Sequence, residues 1–390
     1  MALNLSDHNI IDSHCHFLLP DKETKDFECY WNLSRLPIES KHLRNALNYK
    51  MMLNELKVLL SIDKKTKDEE VVSARNRMYK KDAIGYIKML FRTANIEAVL
   101  IDTGVPNLEN YGYTISFDDF QNLLPEEVIK RCIVRIEPII FKLLLKEDCS
   151  FQELVFLFEQ ELNESIRNQK AIALKTTIAF HTGLDIKIVN EAQALEAYTR
   201  YRKCRTGDLN AEKEIRDYFV LLSLEKCIQL DIPMQIHAGI GDAPVLDLMK
   251  SNPLLLFNLI RDPYFQKAKI VIEHLGYPYI RETGSLVNMF PNIWVDFSEI
   301  NAFISQSVVH CLRELLEMTP VTKILYGSDS YGVPDIFWFS ALHFKKSLEK
   351  VLKDFIHDSI LSPEYAQFAA DRILRENAWE FYKLGNFPDQ

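Results

Sequence analysis

The 390-residue sequence predicts an α/β fold, a (β/α)8 TIM barrel. Eight short runs rich in apolar and β-branched residues are spread along the chain, and helical patterns separate most of them, as expected for a parallel sheet. Eight such units favour a barrel, and the length exceeds the roughly 250 residues of a typical one, which indicates insertions. The predicted strands are Asn9–His14, Ile96–Thr103, Arg131–Glu137, Ala171–Thr176, Ile232–His237, Lys269–His274, Ile293–Ser298 and Lys323–Asp329.

Two long connections account for the surplus residues. One runs from about residue 17 to 95, between the first two strands, and carries apolar residues at helical spacing; the other runs from 178 to 231. Both leave from strand C-terminal ends, the catalytic face of such barrels. We therefore expect one domain over residues 1–390, with a helical insertion at about 17–95 that caps the C-terminal face. A thicker outer helical layer or a subunit contact is the alternative.

The last helix has a clear start in the sequence. Ser362 is a good N-cap residue, Pro363 suits the first helical position, and Glu364 suits the positive end of the helix dipole. We expect this helix to continue through Phe381.

The composition narrows the class of protein. Hydrophobic residues make up 47% and charged residues 26% of the chain, as in an ordinary globular protein. The net charge of −9 argues against a general nucleic-acid binder. No apolar run approaches the roughly 18 residues of a membrane helix. The seven cysteines include no CxxC pair, and residues 1–9 have no signal-peptide pattern, so we expect a cytoplasmic location.

The strongest chemical signal is the run Asp12-Ser13-His14-Cys15-His16 at the end of the first strand. Strand side chains alternate, so Asp12, His14 and His16 share one face. Two imidazoles on one face of a strand end can bind one metal ion, although an isolated HxH is only moderately specific.

Three further strand ends supply residues of the same type. The fifth predicted strand ends at His237, the sixth at His274 and the eighth at Asp329. A parallel barrel brings all its strand C-termini to one rim, so these side chains are expected to converge there with the first-strand histidines. Neutral histidine and aspartate are the usual ligands of a catalytic Zn²⁺.

Lys175 ends the fourth strand in an apolar setting. A lysine in such a place is unfavourable unless it is paired or modified. A salt bridge to a neighbouring carboxylate, such as Glu137 at the end of the third strand, is the simpler interpretation.

With these residues in place, the chain resembles the amidohydrolase superfamily, and within it most closely the amidohydrolase domain of FluG-type proteins. The order of HxH, Lys, His, His and Asp on strands one, four, five, six and eight is that of the superfamily. The resemblance covers essentially the whole chain and is most specific after residue 230. The segments that support it are Ala173–Leu184, Ile232–Asp242, Asn252–Leu254, Glu273–Gly284 and Tyr326–Pro334.

The resemblance implies a metal-dependent hydrolase that cleaves an amide C–N bond with a metal-activated water. His14, His16, His237 and Asp329 would be metal ligands, and Asp329 would also move protons. His274 would bind a second metal or polarise the substrate carbonyl. The cofactor implied is one or two divalent ions, most simply Zn²⁺, and in two-metal relatives a carbamylated lysine stands where Lys175 does.

The substrate is less well defined. We expect a small carboxylate-bearing molecule, and the FluG-type resemblance suggests a γ-glutamyl-type amide. Candidate contacts just past strand ends are Arg281, Asp242, His181 and Tyr277. Arg281 could hold a carboxylate, or simply pair with a nearby acid such as Glu282.

Other functions stay open at this point. They are a metal-dependent decarboxylase of the same superfamily, a sugar-acid isomerase, and a non-catalytic scaffold or signalling protein. We expect no nucleic-acid or membrane partner, and the sequence leaves open whether the chain forms a homo-oligomer.

Overall fold

The computed structural model describes residues 3–18, 27–104, 117–146, 148–204 and 208–386. Eight parallel strands, hydrogen-bonded in sequence order, form the barrel. All eight predicted strands are confirmed, although several are shorter than expected because the chain leaves the sheet as it approaches the rim. The strands are β1 Ile10–Cys15, β2 Ile96–Asp102, β3 Ile129–Arg135, β4 Ala173–Thr176, β5 Met234–Ile236, β6 Ile270–Ile272, β7 Ile293–Asp296 and β8 Ile324–Leu325.

Backbone hydrogen bonds join the last strand to the first and so close the barrel. The Ser13 N–H donates to the Tyr326 carbonyl at 2.9 Å, and the Asp329 N–H donates to the His14 carbonyl at 2.8 Å. The His14–Asp329 bond places the HxH segment directly beside the loop that follows β8.

The helices surround the strands. None of them, within the described ranges, is long and apolar enough to cross a membrane. They are α1 Ser40–Leu43, α2 Leu47–Leu59, α3 Asp68–Lys81, α4 Ala83–Thr93, α5 Phe117–Leu123, α6 Glu137–Leu144, α7 Phe151–Asn168, α8 Glu191–Cys204, α9 Leu209–Leu230, α10 Phe257–Ile260, α11 Ile280–Met289, α12 Ile300–Phe303, α13 Ser307–Leu316, α14 Pro334–His357, α15 Pro363–Asp371 and α16 Asn377–Phe381.

The segment between β1 and β2 is helical, as predicted, and it contacts the barrel in two places. At the rim, Ser34 forms a bridge with Ala243 in the loop after β5. On the outside, Trp31 packs against Phe339 of α14 with ring centroids 5.3 Å apart, and Arg75 of α3 pairs with Asp335 of α14. The insertion therefore thickens the outer helical layer as well as reaching the rim.

The chain's last segment contributes to the barrel interior. The predicted N-cap is confirmed, since the Ser362 hydroxyl accepts from the Tyr365 N–H. The helix then continues through one π-helical turn into α16, so it ends at Phe381 as expected. Ala378, Tyr382 and Leu384 pack with apolar residues of the strands in the inner core of the barrel.

Candidate metal centre

His14 at the end of β1, His16 just after it and Asp329 after β8 meet at the rim. Nε2 of His14 lies 2.9 Å from Oδ1 of Asp329, and Nε2 of His16 lies 2.8 Å from the same oxygen. The histidines are buried. Although these atoms are close, Asp329 Oδ1 has no hydrogen-bond partner among the described residues. The closure of β1 against β8 produces this convergence.

The His14 ring is held from below. Its Nδ1 lies 3.0 Å from Oε1 of Gln235 and 3.3 Å from Oε1 of Glu273. Its Nε2 lies 3.2 Å from Nζ of Lys175. Nδ1 thus faces two carbonyl or carboxyl oxygens, while Nε2 faces Asp329 and the barrel axis.

A second pair of histidines, His237 and His274, follows the ends of β5 and β6. Nε2 of His274 lies 2.9 Å from Nδ1 of His237. On its other side, Nδ1 of His274 lies 2.8 Å from the Ser298 hydroxyl, which in turn hydrogen-bonds to Asp296. Nε2 of His237 is buried with no hydrogen-bond partner in the described structure. It is therefore free to act as a ligand.

The backbone at the rim adopts unusual conformations at site residues. His274, Glu299 and Asp329 have φ values of 58°, 60° and 52°. Non-glycine residues with positive φ are uncommon and cluster at functional sites, where surrounding structure holds the strain. Gly239, with φ of 75°, lies so close to the loop after β6 that an added Cβ would be 2.2 Å from the Gly276 carbonyl carbon.

Burial favours the neutral form of three of these imidazoles, those of His14, His237 and His274. Burial, reinforced by the charge of Lys175, lowers the pKa of His14 to about 4. Burial also lowers the pKa of His237 and of His274 well below the usual value. The pKa of Asp329 is held well below its usual range, against the effect of burial, by the neighbouring His16 and His14 imidazoles. Neutral imidazole and carboxylate are the forms that bind a metal.

These residues fit a divalent cation. Several buried atoms that could donate a lone pair lack a hydrogen-bond partner in the described part of the chain: His16 Nδ1, His237 Nε2, Glu273 Oε1, Glu299 Oε2 and Asp329 Oδ1. Such atoms are rare in native proteins unless water or an ion satisfies them. Three overlapping groups have ligand atoms within 4.8 Å of one another: His14 with His16 and Asp102, His237 with Glu273 and His274, and His274 with Glu299 and Asp329.

The balance of charge also favours a cation. Asp102 is paired with Arg135, and Glu273 with Lys175. Glu299 is buried at the rim and Asp329 is partly buried there, yet neither has a lysine or arginine partner within the described ranges. Uncompensated buried carboxylates are strongly unfavourable, and a bound divalent ion would offset both charges.

The lysine partner proposed from the sequence is wrong. Lys175 Nζ donates to Glu273 Oε2, not to Glu137, and both Lys175 and Glu273 are buried. Glu137 instead accepts a hydrogen bond from the Thr176 hydroxyl at 2.5 Å. Burial raises the pKa of Glu273, and the Lys175 ammonium opposes that rise.

The four predicted substrate contacts lie in different surroundings. Tyr277 is half-buried just after β6. Asp242 is partly exposed and pairs with Arg35 of the insertion, with Nε 2.8 Å from Oδ2. His181 is exposed at the end of the β4 loop. Arg281 is on α11, 81% exposed, and pairs with Glu314 at 2.9 Å. The structure thus does not bring Arg281 together with the histidines.

Sequence reasoning missed residues that the structure places in the centre. Glu299, after β7, has a buried carboxyl oxygen without a partner, and its burial raises its pKa well above the usual value. The Asp102–Arg135 pair lies at the ends of β2 and β3. Their position at strand ends was the available signal. Asp12, which shares a strand face with the two histidines, accepts from the Ser328 N–H at 2.8 Å and so ties β1 to the β8 loop.

Comparison with known proteins agrees with this geometry. Residues 216–384 match the family model described as Amidohydrolase. Protein fluG of Emericella nidulans is 27% identical to 98% of this chain, and the chain spans 47%, about half, of that curated relative's length.

Two solved structures share the fold. A Lactobacillus casei protein described as a metal-dependent hydrolase superimposes with a TM-score of 0.83 at 23% identity, covering 98% of this chain and 96% of that one. A uronate isomerase from Bacillus halodurans superimposes with a TM-score of 0.66 at 14% identity, covering 97% of this chain and 94% of that one. At these identities the likeness concerns the fold alone.

Proposed function

We propose that this chain is a metal-dependent hydrolase of amide C–N bonds, because residues 216–384 match the amidohydrolase family model and 98% of the chain aligns with a FluG protein at 27% identity. We propose a small carboxylate-bearing substrate, of the γ-glutamyl amide type that the FluG-type resemblance suggests. All seven cysteines are free thiols, in keeping with a cytoplasmic enzyme.

One observation supports this proposal above the others. Two buried imidazole nitrogens lie 2.9 Å and 2.8 Å from one carboxylate oxygen that has no hydrogen-bond partner in the described part of the chain. Atoms that all offer lone pairs repel one another at that separation unless a cation or a proton lies among them. The low pKa of His14 disfavours the imidazolium form, and the Gln235 oxygen beside Nδ1 draws the single hydrogen of the neutral ring away from Nε2.

His14, His16, His237 and Asp329 are the proposed ligands, with Zn²⁺ as the proposed ion. When bound, the ion supplies Lewis-acid activation of water near neutral pH. We propose an unmodified Lys175, because its ammonium pairs with Glu273 in the buried core and a carbamate would remove that charge. One ion per chain is then the simplest stoichiometry, whereas two would favour a carbamylated Lys175.

Proton transfer and polarisation of the substrate are assigned to different side chains. Asp329 is the anion at the centre, and its carboxylate can accept the proton of the attacking water and pass it to the leaving nitrogen. His274, fixed by Ser298 on one side and His237 on the other, can polarise the substrate carbonyl. Burial of these groups excludes bulk water and strengthens the electrostatic interactions.

The proposed substrate preference depends on the cations near the centre. Since Arg281 faces solvent, the guanidinium best placed for a substrate carboxylate is that of Arg135, partly exposed beside Asp102. Asp242, Tyr277 and His181 remain proposed contacts at the mouth. We propose no nucleic-acid or membrane partner.

The test is a panel of small amides assayed with the zinc-reconstituted chain, following amine release. γ-Glutamyl amides and N-acyl amino acids should be hydrolysed, and the matched uncharged amides should be poorer substrates. An Asp329→Asn variant is the control for contaminating hydrolases. A metal-loaded protein that hydrolyses none of these amides would contradict the proposed reaction.

Decarboxylation is the second candidate, and the Lys175–Glu273 ion pair is the observation that favours it. The pair keeps Lys175 as an ammonium, and the single-metal site that this leaves would serve a decarboxylase as well as a hydrolase. Release of labelled CO₂ from carboxylic acids, with no amide hydrolysis, would support this reaction over the first.

A further inference from the structure

A polar side chain lies inside the barrel, one layer below the candidate metal centre. Gln235 is fully buried on β5, paired in register with Lys175 on β4 and Val271 on β6. Strand alternation puts it on the same face as His237, two residues later. A buried amide is unfavourable unless hydrogen bonds satisfy its oxygen and its NH₂ group.

The orientation of this amide is fixed by its neighbours. Its Nε2 lies 2.8 Å from the Ser13 carbonyl oxygen and 2.8 Å from the Tyr382 hydroxyl. A carbonyl oxygen can only accept, so the NH₂ group must face Ser13. Oε1 therefore faces His14 Nδ1, at 3.0 Å.

This orientation determines the tautomer of His14. Because Oε1 can only accept, Nδ1 of His14 must carry the hydrogen, and the Glu273 oxygen at 3.3 Å from Nδ1 reinforces this choice. The lone pair of the neutral ring then lies on Nε2, the atom beside Asp329. A hydrogen bond from the far nitrogen of a metal-binding histidine fixes the ring and raises its basicity.

The last member of this arrangement comes from the opposite end of the barrel. Tyr382 follows α16, is buried, and packs with the inner core beneath the strands. Its hydroxyl is the only part of the C-terminal segment that hydrogen-bonds to Gln235 among the described residues. The C-terminal segment thus reaches the metal centre through two hydrogen bonds.

We infer that Gln235, held by the Ser13 carbonyl and the Tyr382 hydroxyl, is a positioning residue that presents Nε2 of His14 to the metal. We call this arrangement the Gln235 clamp. The inference rests on the proposed function, because it assumes that His14 is one of the proposed metal ligands. It adds a role for the interior of the barrel and for the C-terminal segment in metal affinity.

The first experiment observes the tautomer directly in the metal-free, full-length chain labelled with ¹⁵N-histidine. The His14 signals are identified by their loss in His14→Ala. The clamp predicts a protonated Nδ1 and a bare Nε2. A protonated Nε2 with a bare Nδ1 would overturn it, whatever the chain's affinity for metal.

The second experiment measures Zn²⁺ affinity by competition with a chromogenic chelator. Gln235→Met keeps the volume but removes both hydrogen-bonding groups, and should weaken binding about 10- to 100-fold. Gln235→Glu, protonated in this buried position, can still donate to Ser13 and accept from His14, and should recover most of the affinity. Wild-type affinity in Gln235→Met would show a packing role only and overturn the inference.

A matched pair of tyrosines tests the C-terminal member. Tyr382→Phe should weaken Zn²⁺ binding by about 2- to 10-fold, the effect of one hydrogen bond. Tyr326→Phe is the control, because Tyr326 is also buried and its hydroxyl has no partner within the described ranges. Equal affinities in the two variants would remove Tyr382 from the clamp.

The outcomes separate this inference from the proposed function. A wild-type chain that binds no Zn²⁺ would refute the proposed function, while the tautomer measurement would still decide the state of His14. If Gln235→Met fails to fold, the wild-type tautomer and the tyrosine pair still decide the inference. Unfolding temperatures of the metal-free variants distinguish lost affinity from lost structure.

Discussion

Two regions of this protein bury charged side chains, and they do so in opposite ways. In the first, Arg75 of the insertion and Asp335 of α14 are both completely buried. Nε of Arg75 lies 3.1 Å from each carboxylate oxygen, and the Tyr86 hydroxyl donates to Oδ1 at 2.8 Å. The guanidinium also lies over the rings of Phe27 and Tyr79, at 4.9 Å and 4.7 Å.

The second region is the candidate metal centre, where the buried charges are incompletely satisfied. Within the described ranges, none of the buried polar side-chain atoms of Arg75, Asp335 or Tyr86 lacks a hydrogen-bond partner, whereas Glu299 and Asp329 each have a buried oxygen that lacks one. The fully hydrogen-bonded Arg75–Asp335 ion pair, which we call the closed pair, joins two parts of the fold. The ligand atoms at the rim that lack a hydrogen-bond partner in the described structure form what we call the open cluster. Such a cluster lowers stability until a metal ion binds, which is typical of a functional site.

The largest expected effect is that of removing a ligand from the open cluster. His14→Ala should reduce bound metal to background and lower activity by several orders of magnitude. The proposed ion would lose one ligand, and Asp329 Oδ1 would lose one of the two imidazoles beside it. Metal analysis and amide hydrolysis measure this. An active, metal-loaded variant would exclude His14 from the centre.

Neutralising the open carboxylate should separate activity from stability. Asp329→Asn should lower kcat by about 10²- to 10⁴-fold, the usual contribution of a general acid–base group. Because asparagine keeps the size of the side chain and can still hydrogen-bond to the histidines, the free energy of unfolding of the metal-free chain should change little. Denaturant titration checks the second point, and a marked loss of stability would show that Asp329 is structural.

The closed pair should respond in the opposite way. Arg75→Met leaves Asp335 buried without its cation, so it should lower the free energy of unfolding by about 3–5 kcal/mol. Metal content should be unchanged. The double variant Arg75→Met, Asp335→Leu should recover much of the loss, and a double variant as unstable as the single one would contradict this reading of the pair.

A third buried charge gives a smaller, pH-dependent effect. Lys345 of α14 donates to the Ala94 carbonyl at 2.8 Å, and burial lowers its pKa to about 8. Between pH 8 and the unfolded value near 10.5, the unfolded chain binds more protons, so stability should rise with pH across that window. The full change corresponds to about 3 kcal/mol.

The Lys345→Met variant provides the matched measurement. Its free energy of unfolding, determined by denaturant titration at several pH values, should lack the rise that the wild type shows between pH 8 and 10.5. Parallel pH profiles for the two proteins would mean that Lys345 keeps its ordinary pKa in the fold.

The same contrast explains what the sequence could and could not predict. The strands and the histidines at their ends follow from local pattern, since a buried parallel strand is an apolar run and its last residue lies at the rim. The partner of Lys175 does not follow from pattern. Alternation alone would point Glu273 and His274 to opposite faces, but the left-handed backbone at His274 brings both into the centre.

Other features depend on long-range packing that no local pattern encodes. Arg281 was expected to contact substrate just past a strand end, but α11 begins at Ile280 and places it on the outside of the barrel. Arg35 meets Asp242 only because the insertion folds back over the loop after β5. The Arg75–Asp335 pair joins residues 260 positions apart. In contrast, Gln235 could have been noticed as a polar residue inside a buried strand.

The most direct test of the account is the number of metal ions per chain, measured by plasma mass spectrometry on the purified protein and again after reconstitution. The open cluster at the rim predicts on the order of one Zn²⁺ per wild-type chain and background in His14→Ala. A wild-type chain that holds no zinc, manganese or iron even after reconstitution would contradict the proposed metal centre and favour a non-catalytic role for the barrel.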